Sequence, residues 1–106
     1  MKTTVLDVQK LKKFDDAKRH HETIWSDKHS KINLLCMRPD QEIVTHTHNG
    51  NHMWVVMEGS GEFRSAGETQ NIEKGKIVIV PPFVDHGIKN TSKENLVIAS
   101  FTAQGD

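Results

Sequence analysis

From Glu22 onward no segment of the chain holds a helical period. In its place comes a regular beat of short β-branched and apolar runs, over 23–25, 32–37, 43–48, 53–57, 61–64, 77–80 and 96–102. Between the runs fall Arg38-Pro39-Asp40, Asn49-Gly50-Asn51, Glu58-Gly59-Ser60-Gly61, Lys74-Gly75 and Pro81-Pro82. Glycine supplies positive φ and proline presets it, so each cluster is built to reverse the chain. Strands at this spacing predict an all-β fold, an antiparallel sandwich or jelly roll. Apolar residues make up 35% of the chain, below the roughly 45% usual in globular domains, so a thick helical or doubly wound core lacks material. With 106 residues, one domain is expected. The first twenty residues carry six basic and three acidic side chains. Their apolar members Val5, Leu6, Val8, Leu11 and Phe14 fit a helix about as well as a strand. Residues 1–21 are therefore read as an N-terminal arm packing on a β-barrel formed by 22–106.

Fourteen Lys and Arg balance fourteen Asp and Glu, and no block of one sign provides the basic footprint that a phosphate backbone requires, so nucleic acid is not expected as a partner. No stretch approaches the roughly 18 apolar residues of a membrane span or the roughly 7 to 15 of a signal-peptide core. A soluble, cytoplasmic protein with no membrane partner is expected. A single cysteine, Cys36, forms no internal disulfide, in keeping with a reducing compartment.

The chain has seven histidines, and four of them fall into a pattern. In Ile43-Val44-Thr45-His46-Thr47-His48, strand alternation sends His46 and His48 to one face, their roots about 6 to 7 Å apart. The Asn49-Gly50-Asn51 turn delivers His52, which shares a face of the next strand with Trp54 and Val56. His86 follows Pro81-Pro82, where proline fixes the approaching backbone. Four neutral imidazoles suit a divalent first-row metal.

These residues resemble the two motifs of the cupin superfamily, Gly-x5-His-x-His-x3,4-Glu-x6-Gly and Gly-x5-Pro-x-Gly-x2-His-x3-Asn. His46, His48 and Gly59 stand in register with the first, with Asp40 at the leading glycine and His52 at the glutamate. Gly75, Pro81, His86 and Asn90 stand in register with the second, with Phe83 at the inner glycine. The resemblance spans Asp40 to Asn90, and the flanking strands suit a single-domain cupin. It implies an antiparallel jelly-roll (cupin) β-barrel with a metal in its mouth, held by His46, His48, His52 and His86. Replacing glutamate by His52 leaves the ion its full double charge and makes it a stronger Lewis acid. Such sites in the family resemble manganese or iron centres with two adjacent positions open to water, substrate or dioxygen, although by affinity order Ni, Zn and Cu compete for imidazoles. The expected function is a small metalloenzyme, an oxidoreductase of dioxygenase type acting on an organic small molecule. The alternatives are a cupin that binds a small molecule or metal without turnover, a sugar-acid processing cupin, or a closed structural zinc site. A homodimer is expected, because the arm with its alternating Val and Leu needs a surface to cover.

His20, His21 and His29 lie in polar surroundings and read as surface residues. Cys36, inside Ile32-Asn33-Leu34-Leu35-Cys36-Met37, reads as a small core residue. Trp54 and Phe101 are candidates to shape an apolar pocket beside the metal. Glu58 is expected to face water, and Asn90 to fix backbone near the mouth. Arg38 and Arg64 could receive an acidic substrate, but interior cations look scarce, which ranks sugar acids below oxidation. No general acid or base can be named.

Overall fold

A computed structural model describes residues 2–47 and 50–103, with the backbone alone at Thr45 and His46. A one-turn helix, α1 (Val8–Leu11), is capped by Asp7, whose carboxylate accepts from the Gln9 amide at 3.1 Å. Nine strands follow among the described residues: β1 (His20–Ser26), β2 (Ser30–Met37), β3 (Glu42–His46), β4 (His52–Glu58), β5 (Ser60–Ser65), β6 (Glu68–Glu73), β7 (Ile77–Val80), β8 (His86–Lys89) and β9 (Leu96–Ala103). They form two antiparallel sheets, one ordered β1-β2-β9-β4-β7 and one ordered β3-β8-β5-β6. The expected jelly roll forms. Its two sheets face each other and, among the described residues, are not closed into one hydrogen-bonded barrel.

Between the sheets lies a core of Leu35, Met37, Trp54, Val56, Phe63, Ile72, Val80, Ile88, Leu96 and Ile98. The alternate residues of β2 and β9, namely Leu34, Cys36, Val97 and Ala99, face the other way and are buried under Val8, Leu11 and Phe14. Coverage on both faces explains why β2 reads as an unbroken apolar run. Lys12 ties the arm down by an ion pair to Glu58 at 3.0 Å, so Glu58 clasps the arm where water was expected. Arg38 stacks over the Phe14 ring at 4.8 Å. Val8, Leu11 and Phe14 thus cover the arm's own sheet, while Val5 stays 89% exposed.

Two strands escaped the sequence pattern. Strand β6 is an edge strand whose only buried residue is Ile72, so it shows no apolar alternation. Strand β8 is four residues long and begins His86-Gly87. The β5–β6 hairpin turns through Ala66 and Gly67, both at positive φ (51° and 77°). Two left-handed residues are what a type I′ turn needs, and alanine in the first is an unusual signal.

Candidate metal centre and cavity

His52 opens β4 with its side chain inward, in alternation with Trp54 and Val56. His86 opens β8 on the opposing sheet. The two rings meet across the interior with centres 5.2 Å apart, at 4% and 1% exposure. An imidazole centre lies about 3.2 Å from a metal bound at about 2.1 Å, so two ligands at ~90° to 110° place their centres ~4.5 to 5.2 Å apart. The spacing of His52 and His86 fits a shared ion. His86 Nδ1 lies 3.0 Å from the Val84 carbonyl oxygen. That oxygen only accepts, so Nδ1 carries the proton, and in the neutral ring Nε2 keeps its lone pair for a metal.

Aromatic side chains brace the pair. The Trp54 ring meets His86 edge-on at 5.6 Å, and Phe63 stacks parallel to His86 at 6.4 Å. Phe63 was not singled out in the sequence, where it lies in the short polar-flanked run Glu62-Phe63-Arg64. Phe101 pairs with Met53 and packs with the outer cluster under the arm, so it does not shape the pocket as expected.

His46 ends β3 as the backbone partner of His86. Its side chain and the whole of His48 lie outside the described residues, as does any ligand geometry they make. Among the described residues no three His, Cys, Asp or Glu side chains gather as a metal set. Between Ile43 and His46 the β3–β8 register shifts by a bulge, which interrupts the alternation assumed along this strand. Ile43 and Val44, neighbours in sequence, both line the cavity next to the site. Bulges of this kind occur beside functional sites, where they re-aim side chains.

That cavity, about 330 Å³, is walled by His52, Trp54, Leu35, Asn33, Ser100 and Thr102, with Arg19, His21 and Lys31 around it. His21 is exposed, as expected of a surface residue, and also borders the cavity, opposite Leu35 of β2; His20 is half-buried beside Glu22 at 3.3 Å, and His29 is exposed. Cations are present at the rim, in Arg19 and Lys31. Arg38 and Arg64 are turned to carboxylates elsewhere, Arg38 to Asp16 at 3.0 Å and Arg64 to Glu62 at 2.9 Å. Asn90 is fully buried and does fix backbone, donating to the carbonyls of Met37 (3.0 Å) and Glu94 (2.8 Å). It does so at the far end of β8 from His86, away from the mouth.

The chain matches the cupin domain family over residues 33–102, more than half its length, and belongs to that family. No curated protein matches it. Its fold is similar to that of an uncharacterized conserved protein with a double-stranded beta-helix domain from Klebsiella pneumoniae, with a TM-score of 0.89 at 22% identity over 99% of this chain and 93% of that one. A Thermus thermophilus protein is similar with a TM-score of 0.88 at 21% identity, covering 93% and 95%. A structure described as a predicted oxalate decarboxylase from Thermotoga maritima gives a TM-score of 0.71 at 20% identity, covering 76% of each chain. At these identities the likeness is one of fold.

Proposed function

We propose that this cupin is a small metalloenzyme that takes an organic small molecule into the cavity beside His52 and His86 and oxidises it in a dioxygenase-type reaction. The ligands of the divalent ion are His46, His48, His52 and His86, with manganese or iron foremost and Ni, Zn or Cu as competitors. The observation that carries the reading is the buried His52 and His86 pair, spaced as co-ligands and bordering a cavity of about 330 Å³. A bound ion supplies a Lewis acid, and for manganese or iron a redox partner, at the wall of that cavity. The chain's own residues do the rest. Val84 holds the proton on His86 Nδ1, Trp54 and Phe63 fix the His86 ring and exclude water, and Leu35, Ile43 and Trp54 offer an apolar surface to the substrate. Because His52 borders the cavity, an open site is favoured over a closed structural zinc site. The free Cys36 suits a reducing, cytoplasmic setting.

A second reading has its own support. No Asp or Glu lies among the described residues lining the cavity, so no carboxylate is placed there as a general base, which favours binding without turnover. The test is metal analysis of protein purified without chelator, followed by oxygen uptake on enolisable diketones and catechols. About one metal per chain with substrate-dependent oxygen uptake supports the enzyme. Metal without uptake leaves the binding module, and absence of metal overturns the metalloenzyme.

A further inference from the structure

We infer that the ligand of this cavity is a small organic carboxylate, its anionic group held by Lys31 and its apolar body laid against Trp54. The inference rests on the reading that the cavity is the ligand site. Cross-strand register sets the geometry. Lys31 of β2 pairs with Thr102 of β9, and His52, one residue before the pair Met53 and Phe101, stands next in the same row. Neighbouring strands lie about 4.8 Å apart, so the ammonium on its four-carbon stem reaches the space in front of His52. The row beneath is Thr23, Asn33, Ser100 and Trp54.

Among the described residues the lining holds cations and hydroxyls and no carboxylate. Asn33, buried, accepts from the Thr23 hydroxyl at 2.7 Å, which leaves its amide hydrogens as donors. Lys12, Arg38, Arg64 and Lys76 each pair with a carboxylate. Lys31 has no such partner among the described residues, and the described residues of the lining include no acid to neutralise it. A phosphate favours a helix N-terminus or a nest of backbone N–H groups, and the cavity wall is built from strand side chains. Leu35, Ile43, Val44 and Trp54 give the rest of the ligand an apolar seat.

The test titrates benzoate, its neutral isostere benzamide and inorganic phosphate into the protein as purified, by isothermal calorimetry, with metal content measured on the same samples. Benzoate is expected to bind about tenfold or more tighter than benzamide and phosphate, the factor a charged hydrogen bond typically supplies. Lys31→Ala should cost benzoate about tenfold while leaving benzamide and metal content unchanged. Lys93→Ala, an exposed lysine outside the cavity, should change nothing. Equal binding of benzoate and benzamide, no binding of either, a preference for phosphate, or full benzoate affinity in Lys31→Ala overturns the inference. If metal is present and lost in His86→Ala while benzoate shows no preference, the carboxylate site alone fails. Benzoate selectivity in metal-free protein would sink the metalloenzyme and leave the carboxylate site standing.

Discussion

His52 and His86 come from opposing sheets, and their ring centres stand 5.2 Å apart in the interior. His86 is held by its Nδ1 bond to Val84 and by the Trp54 and Phe63 rings, and His52 by its place beside Trp54 at the head of β4. Two imidazoles fixed in this way lose little freedom on binding an ion, which is the physical reason to expect tight metal binding here.

Metal occupancy should fall strongly in His52→Ala and His86→Ala, and equally in His46→Ala and His48→Ala, while His20→Ala, His21→Ala and His29→Ala retain it. Each ligand must be deprotonated to donate, so occupancy should also be lost as pH falls through about 6.5, the ordinary imidazole value. Bound metal stabilises the fold by linkage, so chelation should lower Tm at pH 7.5. Elemental analysis and a melting scan check all of this. Equal metal loss from His29→Ala and His52→Ala would sink the assignment. His52→Glu should keep the metal and lower any turnover that depends on the ion's full double charge.

Asp40 and Phe83 occupy two of the four positions where the cupin motifs carry glycine, and both adopt positive φ, 70° and 66°. The left-handed backbone survives without the residue that favours it, at a cost of about 1 to 2 kcal/mol for a side chain such as Phe. Phe83 is 72% exposed, so little packing opposes its removal. Phe83→Gly should therefore stabilise the protein by about 0.5 to 1 kcal/mol after the entropy of glycine is subtracted. Gly59→Ala should act in the opposite direction. Gly59 sits at φ 81°, and an added Cβ would collide with the Asn95 carbonyl oxygen, so a loss of more than about 2 kcal/mol is expected. Denaturant midpoints for the two variants should move in opposite senses.

The legible part of this chain is the part where burial follows period two or a continuous apolar run. Strands β2, β4 and β9 announce themselves this way, and so does the shared inward face of His52, Trp54 and Val56. What is illegible depends on partners distant in sequence. Strand β6 is polar because it is an edge, and Ala66 hides a turn that Asn or Gly would have marked. The β3 bulge and a second register shift between Thr23 and Trp25 decide which residues reach the cavity, and neither is written in a local pattern. Arg19 and Lys31, twelve residues apart in a polar part of the chain, meet the same cavity only through the β1–β2 pairing.

Cys36 should be slow to react with a disulfide reagent at pH 8. Burial pushes its thiol above the ordinary range, so less of the nucleophilic thiolate exists at any given pH. Its cover is the arm, through Val8, Leu11 and Phe14. Phe14→Ala removes part of that cover and the Arg38 stack, and should raise the labelling rate about tenfold if it eases local opening by about 1.4 kcal/mol. Labelling at the rate of a free thiol in the unaltered protein would contradict this packing.

The outer face of β4 and β7 argues for a homodimer on grounds different from the arm. Met53 pairs with Ile79 and Val55 with Ile77, and the same rows continue through Phe101 and Ala99 on β9. Ile77, Ile79 and Met53 are 63%, 65% and 43% exposed, which makes a contiguous apolar strip on the outer face of the sheet. Strand β7 is also the sheet's edge, so its outer backbone groups are open to pairing, an exposure that folded proteins normally cover or guard with charge. A second copy carries the same strip and the same edge, and a two-fold contact would bury both at once. Sedimentation at micromolar concentration should therefore give a species of twice the 12.0 kDa chain mass. Ile79→Lys should return it to a monomer with its Tm changed little, because the side chain contributes to no core of its own chain. A monomer in the unaltered protein would refute the contact, and a dimer that persists in Ile79→Lys would place it on another face.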